Sequence, residues 1–316
     1  MRRVLVTGGA GFIGSHTVQA LLSHGKAVTV LDDLSTGNEQ NLSHLQGDLE
    51  FIKGSVCSEN DLQRALANVS SVIHLAAVIS VVHSVQDPVH CDEVNVHGTV
   101  KLLDMARRLG VRRLVLASSA AVYGEDPIQP KVETAPIQAL SGYAASKACD
   151  EIYLKMFLHL YQLETVALRY FNVFGPRQSP NSQYAAVIPK FIDTMLRNNA
   201  PVIFGDGEQT RDFCFVENVV DANLRALQSP AAVGQSINIG TGKSTSLNQL
   251  VQMLNRILGS QFQPTYDAPV PGDIRHSLAD ITLARDALSY TPRVDVHQGL
   301  EQTIAYLRST LKNAPP

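Results

Sequence analysis

The chain has no tryptophan, only four cysteines, no long apolar run and no surplus of basic residues. The missing tryptophan excludes nothing by itself. The cysteines, Cys57, Cys91, Cys149 and Cys214, stand far apart with no Cys-x-x-Cys spacing. That argues against a metal site or a disulfide framework, and for buried thiols in a reducing compartment. No apolar stretch reaches the roughly 18 residues needed to cross a bilayer. The start, Met1-Arg2-Arg3-Val4-Leu5-Val6-Thr7, has too short an apolar part for a signal peptide and runs into glycines rather than a cleavage site. A cytoplasmic protein with no membrane partner is expected. Lys and Arg number 26 against 29 Asp and Glu, a formal charge of −3. Without a basic excess, no nucleic-acid partner is expected either. Hydrophobic residues make up 45% and charged residues 17% of 316, which excludes a disordered chain. The length suits one large domain or two ordinary ones.

What is present is an alternation. Short β-branched runs at Val4–Thr7, Ala27–Leu31, Leu49–Ile52, Ser71–Leu75, Arg113–Ala117, Thr165–Tyr170 and Ser236–Ile239 are separated by amphipathic stretches. In Asp61–Asn68, Leu62, Ala65 and Leu66 recur at helical spacing. Strands apolar on both faces, alternating with helices, predict a doubly wound parallel α/β sheet. After Asn172 the chain becomes rich in turns and prolines, which predicts a second, smaller α/β domain capping the sheet. Because Ser236–Ile239 again reads as a strand, the domains interleave. Residues 1–173 plus about 214–240 form the dinucleotide-binding domain, and 174–213 plus 241–316 the substrate-capping domain.

Gly8-Gly9-Ala10-Gly11-Phe12-Ile13-Gly14 directly follows the first strand. Glycines let the backbone turn tightly and approach a pyrophosphate, and the helix opening near Ile13 aims its N–H groups at the phosphates. An ordinary strand-to-helix turn is the plainer reading. Against it, the second strand ends in Asp32-Asp33, with Asp32 18 residues beyond Gly14, where an acid accepts from the adenosine ribose. A carboxylate there repels a 2′-phosphate, so NAD is favoured over NADP. Ser35-Thr36-Gly37-Asn38 follows and supplies no arginine for that phosphate.

Tyr143-Ala144-Ala145-Ser146-Lys147 puts a phenol and an ammonium on one helical face. A phenol titrating near pH 10 is a poor base, and lowering it by about three units takes roughly 4 kcal/mol. A cation about 4 Å away supplies about that much at an effective dielectric near 20. Lys147, helped by an oxidised nicotinamide, therefore suits Tyr143 to act as a phenolate. A surface Tyr and Lys on any helix is the plain alternative. Ala117-Ser118-Ser119-Ala120-Ala121, at the carboxyl end of a strand where ligands bind such sheets, adds hydroxyl donors beside the phenol.

With these motifs the chain resembles the extended short-chain dehydrogenase/reductases that modify sugar nucleotides. The likeness also runs through His74-Leu75-Ala76-Ala77, Val94-Asn95-Val96-His97-Gly98-Thr99, Leu168-Arg169-Tyr170-Phe171-Asn172-Val173, Gly205-Asp206-Gly207, Arg211-Asp212-Phe213 and Pro271-Gly272-Asp273. Within that branch it is most similar to the NAD-dependent UDP-hexose 4-epimerases, above all the UDP-N-acetylglucosamine 4-epimerases. Phe174-Gly175 with Arg177-Gln178, Tyr184-Ala185-Ala186-Val187-Ile188-Pro189-Lys190 and Arg275-His276-Ser277 carry the closer likeness. The resemblance implies a Rossmann domain, a homodimer and an isomerase. Tyr143 would take the sugar 4-OH proton while hydride leaves C4 for NAD⁺, Ser119 would hold the same oxygen, and Lys147 would bind the nicotinamide ribose. The resulting 4-keto sugar would turn over and take the hydride back on its other face.

The resemblance further assigns NAD to Gly8, Gly11, Phe12, Ile13 and Gly14, to Asp32, Asp33, Ser35, Thr36, Gly37 and Asn38, and to Gly54, Ser55 and Val56. Leu75, Ala76, Ala77, Asn95, Ala117, Ser118 and Tyr170 complete that set with Tyr143 and Lys147. The UDP-sugar falls to Ser80, Val81, Ser118, Ser119, Tyr143, Asn172, Ala186, Val187, Val202, Phe204, Arg211, Asp273 and Ser277, with Asn172 and Arg211 on the diphosphate. Ala120 and Ala121 stand where dehydratases carry an Asp-Glu pair and decarboxylases a Glu, so neither chemistry is expected. Ser277 stands where epimerases restricted to plain hexoses carry tyrosine, leaving room for a 2-acetamido group. UDP-GlcNAc and UDP-GalNAc are therefore expected, with UDP-Glc and UDP-Gal alongside. An epimerase restricted to plain or other UDP-sugars, or a catalytically silent NAD-binding regulator, is the alternative. Two departures stand out. Ser55 replaces an adenine-contacting Asp, and Val270 replaces a basic residue near the diphosphate.

His83, His90 and His97 recur every seven residues, but Pro88 interrupts the run and no carboxylate cluster completes a metal site, so no metal is expected. Val96, Val100, Leu103 and Ala106 form a helical stripe, and a further helix is expected from about Tyr143 to His159. The stripe reads as core. In the family these two helices pair across a dimer.

Overall fold

All seven expected strands form, and they assemble into one parallel sheet in the computed structural model, which describes residues 3–179, 186–269 and 274–312. They are β1 (Arg3–Thr7), β2 (Val28–Asp32), β3 (Leu49–Lys53), β4 (Val69–His74), β5 (Arg113–Ser119), β6 (Glu164–Tyr170) and β7 (Ser236–Ile239). Their order across the sheet is β7-β6-β5-β4-β1-β2-β3. Observed ends differ from the expected ones by at most two residues. The strand at β4 begins at Val69, because its edge pairs with Arg3 and Val4.

The chain winds outward from β1 through β2 to β3, then crosses back to β4 on the other side. Connections diverge between β1 and β4, and that divergence opens a crevice at their carboxyl ends. Successive residues of β1 face opposite sides. Val4 and Val6 join Val28, Val30, Ile73 and Val115 beneath the helices Phe12–Ser23 and Val216–Ala226. Leu5 joins Leu31, Val72, Leu114 and Leu116 beneath the helices Glu59–Ala65, Gly98–Arg108 and Gly142–Tyr161. This two-sided cover is why the strands read as continuous apolar runs.

Local chemistry starts the helices where they are needed. Ser58 accepts from the Asp61 N–H and Ser141 from the Ala144 N–H, so Glu59–Ala65 and Gly142–Tyr161 begin on side-chain caps. Pro88 opens the short Pro88–Asp92 helix at its first turn, capped by Asp87, and so divides the histidine run. His83 and His90 meet edge to face with ring centroids 5.9 Å apart.

The stripe on Gly98–Arg108 is core on its inner side. Leu102, Leu103 and Ala106 are fully buried against the sheet, while Val96 and Val100 are half-buried.

Beyond β6 a second core forms around Phe174, Phe191, Ile203, Phe213, Phe215, Leu250 and Leu300. It lies among the helices Val187–Leu196, Leu247–Leu258 and Val296–Lys312. Leu247–Leu258 carries a reciprocal Ser246–Gln249 capping box and ends at Gly259 in the left-handed region. Short ladders pair Val202–Phe204 with Thr265–Asp267, and Thr210–Arg211 with both Thr245–Ser246 and His276–Ser277. Further along, Ala284, Ala287, Leu288 and Tyr290 return to the sheet cluster.

Among the described residues, no helix is long and apolar enough to cross a membrane, and no three His, Cys, Asp or Glu side chains gather as a metal site would require.

Candidate active site

A cleft of about 1050 Å³ runs along the carboxyl ends of the strands and beneath the second core. A usual small-molecule site occupies about 300–1,000 Å³, so this cleft exceeds what one ordinary ligand needs.

Its floor is the glycine turn. Gly8 has φ +68°, and a Cβ there would lie 2.8 Å from the Ala76 nitrogen, so only glycine lets the turn after β1 close against the turn after β4. A Cβ on Gly14 would run into the Gly8 carbonyl oxygen, so the first helical turn also sits down only on glycine. At the end of β2, Asp32 is 6% exposed. One carboxylate oxygen accepts from the Ala10 N–H at 2.9 Å and the other from the Leu34 N–H at 2.8 Å. Burial pushes Asp32 above its ordinary value, against the pull of those two N–H groups. Each oxygen keeps a lone pair for a ligand. Asp61, not a residue after Gly54, supplies the carboxylate at the end of β3: its Oδ2 accepts from the Ser55 N–H at 3.1 Å.

Behind the turn lies a buried polar relay. Leu75 and Ala76 N–H groups donate to Thr7 Oγ1, which lies 2.6 Å from His74 Nδ1. His74 Nε2 lies 2.9 Å from Thr99 Oγ1, and Thr99 donates to the Asn95 carbonyl. Thr99 therefore accepts from Nε2–H, which makes His74 a neutral ring protonated at Nε2. Burial, with the Lys147 charge nearby, holds His74 down at about 3.

Facing the floor are the three residues singled out for chemistry. Tyr143 lies in the first turn of its helix, half-buried, and Lys147 one turn on is 3% exposed. Lys147 Nζ pairs with Asp150 Oδ2 at 3.2 Å. Ser119 Oγ accepts from the Ala121 N–H at 3.1 Å, which leaves its proton for a ligand oxygen. Ser118, expected beside it, lines the cleft but donates to Glu151 Oε1 at 2.6 Å. Burial would raise Glu151, but the Arg169 guanidinium, paired with it through both Nε (2.8 Å) and Nη2 (2.7 Å), holds it below the ordinary value. Ser118 is thus tied into a structural ion pair.

The opposite wall belongs to the second core. Arg211 and Ser277 are register partners in a parallel ladder, and both line the cleft with Asn172, Ala186, Val187, Val202 and Phe204. Arg275 turns away to pair with Asp206 at 2.8 Å.

Most of the expected cofactor residues line this cleft: Gly8, Gly11, Phe12, Ile13, Gly14, Asp32, Asp33, Ser35, Thr36, Gly54, Ser55, Val56, Leu75, Ala76, Ala77, Ala117 and Tyr170, as does Val81 of the sugar set. Four expected residues do not line the cleft and bond the backbone or side chains around it instead. Gly37 packs on the Asp32 carboxylate, and Asn38 caps the next turn by accepting from Gln40 N–H. Ser80 caps Val81–Gln86 by accepting from His83 N–H. Asn95, fully buried in the π-turn Glu93–His97, accepts from Val78 N–H at 2.7 Å and donates to the Val78 carbonyl at 3.0 Å and to Ser146 Oγ at 2.9 Å. It splices the loop after β4 to the Tyr143 helix. Asp273, with Val270, lies outside the described residues.

Among the lining residues not assigned from sequence are three polar ones on the second-core side, Gln178, Lys190 and Gln209. Gln178 and Gln209 each hold a buried Oε1 with no hydrogen-bond partner among the described residues, and Lys190 Nζ sits 5.9 Å over the Phe204 ring. Gln178 and Lys190 stood inside quoted motifs, and Gln209 lies two residues before Arg211. Only the folded wall brings them to the cleft.

The model of the NAD dependent epimerase/dehydratase family matches residues 4–240. The chain belongs to that family. The UDP-glucose 4-epimerase of Mycolicibacterium smegmatis is 42% identical over 312 residues, 97% of this chain and 99% of that protein. The UDP-N-acetylglucosamine 4-epimerase of Methanobrevibacter ruminantium, solved with UDP-N-acetylmuramic acid, superposes with a TM-score of 0.93 at 42% identity, covering 98% of this chain and 99% of that one. The UDP-glucose 4-epimerase of Thermus thermophilus, solved with NAD, gives 0.88 at 36% identity over 97% of this chain and 99% of that one. As in the family, the cofactor is NAD. The residues present fit it: a glycine cradle that a Cβ would fill, a helix N-terminus aimed over it, and Asp32 with lone pairs to spare.

Proposed function

We propose that this chain is a UDP-sugar 4-epimerase that interconverts UDP-GlcNAc and UDP-GalNAc and also turns over UDP-Glc and UDP-Gal. The convergence of Ser119, Tyr143 and Lys147 on one wall of a single cleft, with Arg211 and Ser277 on the other, carries this reading. NAD, when bound, supplies the reversible two-electron acceptor that oxidation at C4 requires. Tyr143 takes the 4-OH proton as a phenolate and returns it after the 4-keto sugar has turned over. Ser119 donates its free proton to the same oxygen. Lys147 holds positive charge beside the phenol and bonds the cofactor ribose. Arg211 offers a planar fork to the diphosphate.

Ala120 and Ala121 line the cleft where elimination or decarboxylation would need acids, so the 4-keto sugar has no route but reduction. Ser277 supports acceptance of the acetamido group, because a hydroxymethyl side chain beside Arg211 leaves that part of the wall open. Incubating the holoenzyme separately with UDP-GlcNAc and UDP-Glc and resolving the UDP-sugars tests both levels. Conversion of both is expected. Conversion of UDP-Glc alone overturns the acetylated assignment, and conversion of neither overturns the epimerase.

The working form is a homodimer. Val85 (65% exposed), Val89 (67%) and Ile152 (65%) put an uncovered apolar surface on the packed helices Val81–Gln86, Pro88–Asp92 and Gly142–Tyr161.

A further inference from the structure

Tyr143, Lys147 and Asp150 fall at i, i+4 and i+7 of one helix, so they share a stripe with the ammonium between the phenol and the carboxylate. Asp150 is completely buried and Lys147 nearly so. The carboxylate meets one cation, with the Thr99 hydroxyl also bearing on it. Oδ2 meets Lys147 Nζ at 3.2 Å, and buried Oδ1 has no hydrogen-bond partner among the described residues. A native fold rarely leaves a buried acceptor unpaired, and a buried ion pair seldom adds stability over an apolar replacement. Its position in the reacting stripe supplies a different reason for its presence.

We propose that Asp150 is a positioning residue, the internal counter-ion that fixes the Lys147 ammonium and offsets part of its charge at Tyr143 and at the nicotinamide end of the cleft. This rests on the roles given above to Tyr143 and Lys147. With Asp150 ionised, the pair is close to neutral, and the phenol owes much of its activation to the oxidised nicotinamide. Base strength then follows the redox state of the cofactor. With the carboxylate gone, the full lysine charge acts on both the phenol and the positively charged ring.

The groups facing Asp150 are few. On its own helix they are Lys147, Glu151 and Cys149; the Thr99 hydroxyl and Cys91 come from the segment packed against it, Asp92 bears on the two thiols, and His74 faces Lys147 from β4. Burial pushes Asp150 up to about 6, with Lys147 opposing.

The test is Asp150→Asn in the full-length holoenzyme. The acid limb of kcat should move to lower pH by about one unit, from one charge removed about 10 Å from the phenol at an effective dielectric near 20. Affinity for NADH relative to NAD⁺ should rise about fivefold, because an uncompensated cation disfavours the charged ring. Asp150→Glu should restore both values. A fall in kcat with an unmoved acid limb and equal weakening of both cofactor forms overturns the proposal in favour of a merely structural pair, as does a shift to higher pH. Should Asp150→Asn fail to fold by circular dichroism, Asp150→Ser takes its place with the same outcomes. The cofactor ratio is read without sugar, so it stands or falls separately from the choice of UDP-sugar.

Discussion

Ser118 and Ser119 are adjacent and chemically identical, yet they do different work. Ser118 spends its proton on Glu151, which Arg169 grips through two nitrogens. Ser119 spends only a lone pair, on the turn that follows. Of the two, Ser119 therefore keeps the hydroxyl that the proposed mechanism gives to a sugar oxygen. With Tyr143 as the proposed base, Tyr143→Phe removes only the phenol oxygen and keeps the ring. Epimerisation should fall by about 10³-fold or more, while bound NAD per protomer stays unchanged. Full activity in that variant would remove Tyr143 from the mechanism. At Ser277, a tyrosine would project into the cleft beside Arg211. Ser277→Tyr should cut kcat/KM for UDP-GlcNAc relative to UDP-Glc by about 10- to 200-fold, the range that pocket sterics supply. An unchanged ratio would place the acetamido group elsewhere.

At the scale of elements, the site depends on three close approaches: the β1 turn on the β4 turn, the first helix on the β1 turn, and the Tyr143 helix on the π-turn through Asn95. Each uses a residue that permits or bridges a short distance. Gly14→Ala puts a methyl group into the Gly8 carbonyl and pushes the helix N-terminus off the cradle. NAD affinity measured by calorimetry should fall by about tenfold or more, roughly 1.4 kcal/mol. The sheet core should hold, because Val18 and Leu21 of that helix are buried independently of the turn. Loss of the far-ultraviolet helix signal instead would make the turn essential to folding.

Over the whole molecule, the buried His74 and the half-buried His16 set the acid limit. Burial lowers His74 to about 3 and His16, bonded to the Pro176 carbonyl, to about 4. Both folded values lie below the unfolded value of 6.5. Their contribution is thus complete above about pH 6.5 and is lost as pH falls, because the unfolded chain binds the protons first. By pH 5 each costs on the order of 2 kcal/mol. Asp150 acts oppositely: its folded value is raised to about 6 from 3.8, so acidification through that window returns part of the loss. The urea midpoint should fall between pH 7 and 5, and a flat or rising midpoint would contradict the burial of the two rings. The apolar surface around Ile152 concerns assembly. Ile152→Lys should convert a dimer into a monomer by analytical ultracentrifugation, and a monomeric wild type would remove the dimer altogether.

Much of this protein is legible along the chain because its signals are local. Mostly apolar runs mark the seven strands, since a strand covered on two sides keeps polar residues only where they find partners, as Arg169 does on Glu151 and His74 on Thr7 and Thr99. Glycines, Asp32 and the Tyr143–Lys147 spacing mark the cofactor and the base, since turn geometry and helical pitch act over a few residues. The plain spacing of Ser118 and Ser119, of Asn95, and of Gln178 and Gln209 carries no such mark. Whether a hydroxyl is spent, or an amide faces a cleft, is settled by partners far away in sequence. The sequence by itself determined the sheet, the cofactor and the reacting stripe. Only the tertiary structure decided that Asp61 holds the Ser55 turn, that Asn95 bonds Val78 and Ser146, and that Lys147 faces a buried Asp150, because burial and pairing belong to the packed molecule and not to any one segment.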